Sequence, residues 1–392
     1  MLRFLLFLSL MLTSWPSEAA DTAPPPLSKT DVFAEEGDFT HAQANALRYD
    51  RRTGGWRLQD DPSGGFVALG QLTLPALRYG AGFTDAVVSW NADCPLGTWL
   101  QLEASASRDG GDSWSQWLEL ARWGDRDTLR FQSGAPGLQQ DGEVRVDQDT
   151  LVVKPAGDRL RLRVTLHSTR PAVTPLLSLL SVATVNRNKA VDPDGPVRTA
   201  WGREVPTQFR AQSWEAADRS YRVCGPTSAT MALAAHGIKL PSRQVAAACW
   251  DERHGIYGNW PFIAAAMHRL MNSQADGLPH KPGQRFVGRS WVAWPAGWKM
   301  LEEEILAGRP SIVSIHFAEG ELPGAPTSSS DGHLVLLTGF TKAGDPIVRD
   351  PAARRVENGR IVYPRDAFHR ARHGGPVILL QPWREHPRET LP

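Results

Sequence analysis

Three separated residues of this 392-residue sequence carry the side chains of a cysteine nucleophile system. Cys224 begins the run Cys-Gly-Pro-Thr-Ser, His333 follows a glycine, and Asp350 precedes a proline. A thiol can attack a carbonyl carbon, an imidazole can take and return the proton, and a carboxylate can orient the imidazole. The order and local settings of the three residues therefore predict nucleophilic acyl transfer.

The residues after Cys224 favour a helix that begins at the thiol. Pro226 suits a first helical turn, where its missing N–H would have no intrahelical partner, and Gly237 offers a left-handed stop. Free backbone N–H groups at a helix start favour a thiolate over a thiol. The alternative is a buried structural cysteine, because an unreactive Cys behaves as a small hydrophobic residue.

His333 and Asp350 flank a predicted antiparallel hairpin. Residues 333–340 have the apolar composition of a buried strand, residues 342–345 that of a turn, and residues 346–349 that of a returning strand. Because the turn lies midway, the hairpin brings both side chains to one open end, where Asp350 can fix the tautomer of His333. Taken singly, each residue is better explained as a strand-end histidine or an Asp-Pro turn, and only the combination with Cys224 favours a catalytic role.

The segments 221–228, 332–335 and 349–352 together resemble peptidase family thirty-nine of the papain-like clan. The resemblance extends through residues 258–262 and 308–317, and so covers most of residues 205–382. It implies a papain-like cysteine peptidase domain in which Cys224, His333 and Asp350 are catalytic. It also places Trp260 near the cleft, as a candidate substrate-binding residue.

The same resemblance implies a glutamine upstream of the cysteine, whose side-chain amide helps to form the oxyanion hole. Gln208 and Gln212 both fit, and Gln212 is preferred because its setting after Val205-Pro206 is closer to that of the family. A fixed N–H donor there, with the backbone N–H of Cys224, would stabilise the charge on the carbonyl oxygen. A surface glutamine in a loop is the alternative.

Composition and charge limit the classes of partner. The sequence is 41% hydrophobic and 22% charged, which is ordinary for globular domains, and its length allows two separate cores. Lys plus Arg number 43 against 42 for Asp plus Glu, so no basic surface for nucleic acid or anionic membrane is expected. No cofactor or metal is predicted, because phosphate-binding glycine motifs are absent and His236 and His254 lack partners at ligand spacing.

The N-terminus has the pattern of a secretory signal peptide. Arg3 precedes an apolar run from Phe4 to Thr13 that is too short to span a bilayer, and Ser17-Glu18-Ala19 offers a cleavage site. We expect cleavage after Ala19, with an uncleaved membrane anchor as the alternative. The mature protein would then be secreted or periplasmic, with no further membrane segment, and residues 20–38 are predicted to be a disordered leader.

The rest of the chain divides by composition into two domains. Residues 39–187 consist of short alternating runs between Gly, Pro and Asp turns, which predict an antiparallel β-sandwich. Residues 188–204 are predicted to be a linker, and residues 205–385 the cysteine peptidase-like domain. The predicted fold class is therefore α+β, with a papain-like domain preceded by a β-sandwich.

Two features of the predicted sandwich have alternative explanations. Residues 107–114 resemble the Asp-box hairpin of sialidases, a structural turn that occurs here once, so a sialidase is not expected. A set of five tryptophans could fill a core or present a sugar-stacking platform, and core filling is preferred. They are Trp90, Trp99, Trp114, Trp117 and Trp123.

The three cysteines allow one disulfide at most. Cys94 and Cys249 could pair across the domains, but Cys249 lies in an apolar helical segment, and buried thiols are preferred. In either arrangement Cys224 remains available as a nucleophile.

The sequence favours an exported peptidase that acts on a peptide or protein substrate, which could be associated with the cell wall. Amidase or transpeptidase action on cell-wall peptides would use the same site, and fold-level analogy does not separate these reactions. The non-enzymatic alternative is a wall- or glycan-binding protein with a vestigial peptidase fold.

Overall fold

A computed structural model describes residues 26–124, 133–134, 137–190, 195–214, 222–275, 285–372 and 374–386. The predicted signal peptide, residues 1–19, lies outside the described residues. The described chain is rich in strands and forms two sheets in which every strand pair is antiparallel. None of its helices is long and apolar enough to cross a membrane.

The first sheet contains thirteen strands and forms the N-terminal region. Its main path runs β3-β4-β13-β6-β12-β7-β8-β9, while β1 joins β13, β5 and β11 join β12, β2 joins β5, and β10 joins β11. The strands are β1 (Pro26–Phe33), β2 (Gln43–Asn45), β3 (Leu47–Asp50), β4 (Gly55–Leu58), β5 (Leu69–Thr73), β6 (Leu77–Asp93), β7 (Thr98–Ser107), β8 (Leu118–Gly124), β9 (Ser133–Gly134), β10 (Gln139–Asp141), β11 (Val144–Asp147), β12 (Thr150–Ser168) and β13 (Leu176–Ala190). The antiparallel β-structure predicted for this region is confirmed.

The C-terminal region combines five helices with a six-stranded sheet of order β14-β19-β15-β16-β17-β18. The helices are α1 (Cys224–Ala235), α2 (Ser242–Cys249), α3 (Trp260–Ala275), α4 (Lys299–Leu306) and α5 (Arg365–Arg372). The strands are β14 (Arg285–Ala293), β15 (Ser311–Phe317), β16 (Ser330–Phe340), β17 (Pro346–Arg349), β18 (Arg360–Val362) and β19 (Val377–His386). This mixture agrees with the α+β class.

The prediction of a disordered leader over residues 20–38 is wrong from residue 26 onward. β1 pairs with β13 along its length, and a 3-10 helix follows at Glu36–Phe39. Two further contacts reach the C-terminal region, because Thr30 accepts from the Trp294 backbone N–H at 3.0 Å and Glu35 pairs with Arg289 at 2.8 Å. The backbone groups along the edge of β13 hydrogen bond to residues 26–33 and order them as a strand. The composition of residues 20–38 gives no sign of this pairing.

The described part of the predicted linker packs against the C-terminal region. Glu302 of α4 is fully buried and accepts from the Val197 backbone N–H at 2.6 Å and from Trp201 Nε1 at 2.9 Å. Glu204 then forms a bridge with Gly339 of β16. These contacts leave residues 197–204 with fixed positions rather than the freedom expected of a linker.

The five tryptophans have two different environments. Trp90 and Trp123 are fully buried, as the core-filling prediction requires, and both contact Phe262 of α3 edge to face. The other three are half-buried, and each has a ring covered by a protein side chain: Trp99 by His167, Trp114 by Arg161 and Trp117 by Arg163. Covered rings weaken the sugar-platform alternative.

The Asp-box resemblance corresponds to a tight turn. Asp109 accepts from the Ser113 backbone N–H at 2.9 Å, and Trp114 Nε1 donates to the Gly111 carbonyl at 2.9 Å. Gly110 has φ +76°, a conformation that favours glycine. The motif here stabilises a turn, as expected for a structural element.

The two regions share one continuous core. Asn91 of β6 is buried, and both ends of its side-chain amide bind the backbone of Ser290 in β14. Its Nδ2 donates to the Ser290 carbonyl at 2.5 Å, and its Oδ1 accepts from the Ser290 N–H at 3.1 Å. Ser89 accepts from the Val292 N–H at 2.9 Å. β14 is an edge strand of its own sheet. On its open side these side chains supply the hydrogen-bond partners that the backbone needs.

Cys94 and Cys249 do not form the interdomain disulfide that was the alternative. In the described part of the chain both are buried thiols, and burial raises the pKa of Cys249 to about 12. The preferred prediction of buried thiols is confirmed.

We expect Asn91→Ala to lower the free energy of unfolding by about 2–4 kcal/mol, because it leaves two buried backbone groups of Ser290 unpaired. Urea titration followed by circular dichroism would measure the loss. Because the core is shared, both regions should unfold in one transition. The matched control is Asn45→Ala on the exposed strand β2, which should change stability by less than about 0.5 kcal/mol. Two separate transitions in the unmutated protein would contradict the shared core.

Candidate active site

The thiol of Cys224 lies at the first residue of α1, as the sequence predicts. Pro226 falls in the first turn, and Gly237 follows the helix with φ +82°. Ser228 Oγ donates to the Leu334 carbonyl at 2.9 Å, which ties the first turns of α1 to β16. A Cβ at position 225 would lie 2.7 Å from Ile263 Cδ1 and 3.0 Å from Leu334 Cδ1, so a larger residue there would force these side chains to shift. The nucleophile candidate therefore has a fixed position against the sheet.

The predicted hairpin is formed by β16 and β17. Leu336 pairs with Arg349, and the turn between the strands contains Gly344 with φ +92°. His333 and Asp350 consequently lie at the same open end, where His333 Nε2 is 2.7 Å from Asp350 Oδ1. Both side chains are buried, with Asp350 only 1% exposed. The Cys224 thiol lies close enough to His333 that each group shifts the pKa of the other.

The carboxylate of Asp350 is surrounded by donors. Burial opposes its ionisation, but the charge and hydrogen bond of His333 outweigh that cost and lower the pKa of Asp350. The Ala352 backbone N–H donates to Oδ1 at 2.9 Å, and the Tyr363 hydroxyl donates to Oδ2 at 2.9 Å. A buried carboxylate with three donors remains charged and keeps its orientation.

The electrostatics of the pair favour separated charges. Burial works against the imidazolium, yet the charge and hydrogen bond of Asp350, followed by those of Cys224, raise the pKa of His333 to about 10. Burial likewise opposes the thiolate, but the hydrogen bond and charge of His333 lower the pKa of Cys224. The Leu334 and Gly225 backbone N–H groups act in the same direction. The site is therefore suited to a thiolate beside an imidazolium, which is the reactive state of a cysteine nucleophile.

The two glutamine candidates have different environments. Gln208 is exposed, whereas Gln212 is half-buried at the start of a 3-10 turn, Gln212–Trp214. The Gln212 backbone N–H donates to the carbonyl of Pro351, the residue after Asp350, at 2.8 Å. Its side-chain Oε1 is buried, and no described residue hydrogen bonds to it. Of the two, Gln212 is the residue that a described hydrogen bond joins to the neighbour of Asp350.

Trp260 is the first residue of α3, and its ring packs partly buried against the core. Its backbone N–H donates at 3.1 Å to Asp149, which belongs to the N-terminal sheet. One turn further along α3, Ile263 contacts Gly225. Trp260 thus lies at the junction of the two regions, on the element that flanks the thiol.

The sequence did not predict the contact between Tyr363 and Asp350. Tyr363 follows β18, is fully buried and stacks on Phe368, and its hydroxyl is the third donor to Asp350. A lone Tyr after a short strand gives no signal of this contact. Only the pairing of β18 with β17 reveals it.

Comparison with known families matches both regions of the chain. The Peptidase C39 N-terminal domain matches residues 28–185, and the Peptidase_C39 like family matches residues 204–372. The chain therefore combines a peptidase C39 N-terminal domain with a peptidase C39-like domain. The resemblance to peptidase family thirty-nine is thereby confirmed. A comparison with the curated proteins finds no match.

Several solved structures have partial likeness to this chain. A double glycine motif protease from an AMS/PCAT transporter, in complex with the leader peptide, is 22% identical, with a TM-score of 0.28, over 46% of this chain and 94% of that one. A lectin from Bauhinia forficata in complex with GalNAc is 10% identical, with a TM-score of 0.22, over 41% of this chain and 100% of that one. A family two carbohydrate esterase from Cellvibrio japonicus is 12% identical, with a TM-score of 0.21, over 52% of this chain and 50% of that one. At these TM-scores the likenesses carry no conclusion.

We expect Tyr363→Phe to lower the free energy of unfolding by about 1–3 kcal/mol at neutral pH, because a buried carboxylate loses one of its donors. The folded-state pKa of Asp350 is lowered, so the stability that it contributes is present at neutral pH and lost as pH falls. The difference between mutant and parent should therefore shrink on acidification. Urea titrations at a series of pH values would measure it.

The control for that experiment is Tyr49→Phe, which removes the same hydroxyl from a half-buried side chain of β3. It should leave the pH dependence unchanged. A Tyr363→Phe penalty that is the same at acidic and neutral pH would show that the hydroxyl does not act through the ionised carboxylate.

Proposed function

We propose that this protein is an exported cysteine peptidase that cleaves peptide bonds through an acyl-enzyme. The observation that carries the proposal is the imidazole of His333, which is bonded to the buried carboxylate of Asp350 and lies beside the Cys224 thiol at a helix start. The family match over residues 204–372 supports the same class of reaction.

In the proposed acylation step the Cys224 thiolate attacks the carbonyl carbon of the scissile peptide. The S–C bond forms, and the carbonyl oxygen takes the negative charge. His333, already protonated, donates its proton to the leaving amine as the C–N bond breaks. Asp350 orients the ring and stabilises its positive charge throughout. Water then attacks the thioester with His333 as general base, which releases the acid and restores the thiolate.

The oxyanion requires donors that are fixed before reaction. We propose that Gln212 supplies its side-chain N–H, with the backbone N–H of Cys224 as the second donor. Attachment of Gln212 to Pro351 supports this assignment, because it fixes the glutamine relative to the triad. Gln208 is exposed and has no such attachment in the described chain.

The finer fold and the location belong to the same proposal. The packing of a thiol-bearing helix against an antiparallel sheet that carries the imidazole and the carboxylate supports a papain-like domain. The branched thirteen-stranded array before it supports a β-sandwich. The apolar run and cleavage pattern at residues 1–19 support export, with a peptide or protein substrate outside the cytoplasm.

We expect iodoacetamide to modify the folded protein once, at Cys224, because burial raises the pKa of Cys249 to about 12 and Cys94 is also buried. Cys224→Ala should abolish both labelling and hydrolysis of a fluorescent casein substrate. Cys249→Ala, the control, should keep both. Mass spectrometry of tryptic peptides would identify the modified residue. A folded protein that neither labels at Cys224 nor hydrolyses any peptide substrate would contradict the proposed function.

The pH dependence of the reaction follows from the two shifted groups. The pKa of Cys224 is lowered by His333, and the imidazolium persists until the pKa of His333, about 10. The labelling rate should therefore reach its plateau at a lower pH than that of an ordinary thiol. Hydrolysis should fall on the alkaline side as His333 loses the proton that the leaving amine needs. Asp350→Asn should move that alkaline limit downward, because it removes the charge that raises the pKa of His333.

Stopped-flow hydrolysis measured from pH 4 to pH 11 would locate both limits. Asp366→Asn, on the exposed face of α5, is the matched control and should leave the profile in place. An alkaline limit that Asp350→Asn does not move would contradict the assigned role of Asp350.

A further inference from the structure

The segment from Asp251 to Trp260 connects the N-terminal sheet to the thiol. On one side, the Tyr257 carbonyl and Ile263, one turn into α3, lie within 3.3 Å of where a Cβ would be at Gly225, the residue after Cys224. On the other side, the segment is bound by residues of the N-terminal sheet. The contacts on that second side have no part in the chemistry described above.

The first of these contacts is made by Asp149, in the turn between β11 and β12. Its Oδ2 accepts from the Trp260 backbone N–H at 3.1 Å, while the Thr150 hydroxyl donates to Oδ1 at 3.1 Å. Trp260 begins α3, so this N–H belongs to the group that has no acceptor within the helix. A carboxylate from one region thus caps a helix of the other.

The second contact is made by Gly134 of β9, whose backbone N–H donates to Asp251 Oδ1 at 3.2 Å. A methyl group at position 134 would lie 2.8 Å from His254 Cε1 and 3.1 Å from Asp251 Oδ2, so it would force the His254 ring and the Asp251 carboxylate to shift. The backbone of β9 in the N-terminal sheet therefore packs directly against the segment 251–260.

Asp251 connects Gly134 to other residues of the segment 251–260. The side chain is fully buried, and its Oδ2 accepts from His254 Nδ1 at 2.9 Å and from Asn259 Nδ2 at 2.9 Å. Asn259 in turn accepts from the Phe262 backbone N–H at 3.3 Å and so caps α3 from within its own region. One buried carboxylate links Gly134, the His254 loop and the start of α3.

We propose that the N-terminal sheet is a positioning element of the thiol site, which acts through Asp149 and Gly134 on the segment 251–260; this inference rests on the proposed function. Asp149 does not touch a substrate or the reacting atoms. It fixes the start of α3, and with it the surface against which Gly225 and the first turn of α1 pack. The N-terminal region is then part of the active-site support rather than an appended binding module.

The test uses the full chain and three variants of one turn. Asp149→Ala removes the acceptor for the Trp260 N–H, Asp149→Asn keeps a side-chain oxygen there, and Asp147→Ala removes an exposed carboxylate two residues away. The first readout is the rate constant for acylation of Cys224 by a peptidyl acyloxymethyl ketone, measured well below the melting temperature of every variant. We expect about a tenfold loss for Asp149→Ala. Asp149→Asn should stay within about twofold of the parent, and Asp147→Ala should match it.

The second readout is backbone hydrogen exchange in residues 222–235, which needs no catalysis. Asp149→Ala should accelerate exchange there and in residues 251–263, since local opening becomes easier, whereas Asp147→Ala should not. Gly134→Ala should have the same effect through the second contact.

The outcomes separate this inference from the proposed function. If the parent protein fails to react with the ketone, the proposed function fails, and the exchange data still decide the inference. If the parent reacts and Asp149→Ala, while folded, reacts and exchanges like the parent, the positioning role is wrong and the proposed function stands. A lowered melting temperature with unchanged rate and exchange would also overturn it, because that is the result of a purely structural contact.

Discussion

The buried bond between His333 and Asp350 is the constraint on which the rest of the site depends. A carboxylate that is 1% exposed must be compensated, and three donors converge on it from β16, the residues after Asp350 and the end of β18. That compensation keeps Asp350 charged, which raises the pKa of His333, and the imidazolium in turn lowers the pKa of Cys224. Through His333, the ionisation of the Cys224 thiol therefore depends on the hydrogen bonds that keep Asp350 charged.

The second constraint is the shared core of the two regions. β14 is bonded on one side to Asn91, Ser89 and Ser181 of the N-terminal sheet, and Phe262 of α3 packs against Trp90 and Trp123. Trp90 and Trp123, which the sequence alone could also assign to a sugar-binding platform, instead pack between the two regions. Because α3 also contacts Gly225, the packing that joins the regions is continuous with the packing that fixes the thiol.

Local signals predicted the site well where the interacting residues lie on one short element. The helix start at Cys224 follows from Pro226 and Gly237, and the meeting of His333 with Asp350 follows from a turn placed midway between them. Tyr363, Asp149 and the strand β1 were not predictable in this way. Tyr363 reaches Asp350 through the pairing of β17 with β18, Asp149 meets Trp260 across 111 positions of sequence, and β1 needs the edge of β13. Composition alone made residues 26–38 resemble a disordered leader, because the partners of β1 are more than a hundred residues away.

The sequence by itself determined which reactive groups are present, their order, and the local turns that place a thiol at a helix start and an imidazole beside a carboxylate. Hydrophobic periodicity and turn residues are local properties, so they can be read without knowledge of the fold. Only the tertiary structure decided how Asp350 is supported, that Gln212 is bonded to the residue after Asp350, and that the N-terminal sheet contacts the segment flanking Cys224. Those features depend on contacts between distant segments, whose free energy comes from burial and hydrogen bonding that no local pattern encodes.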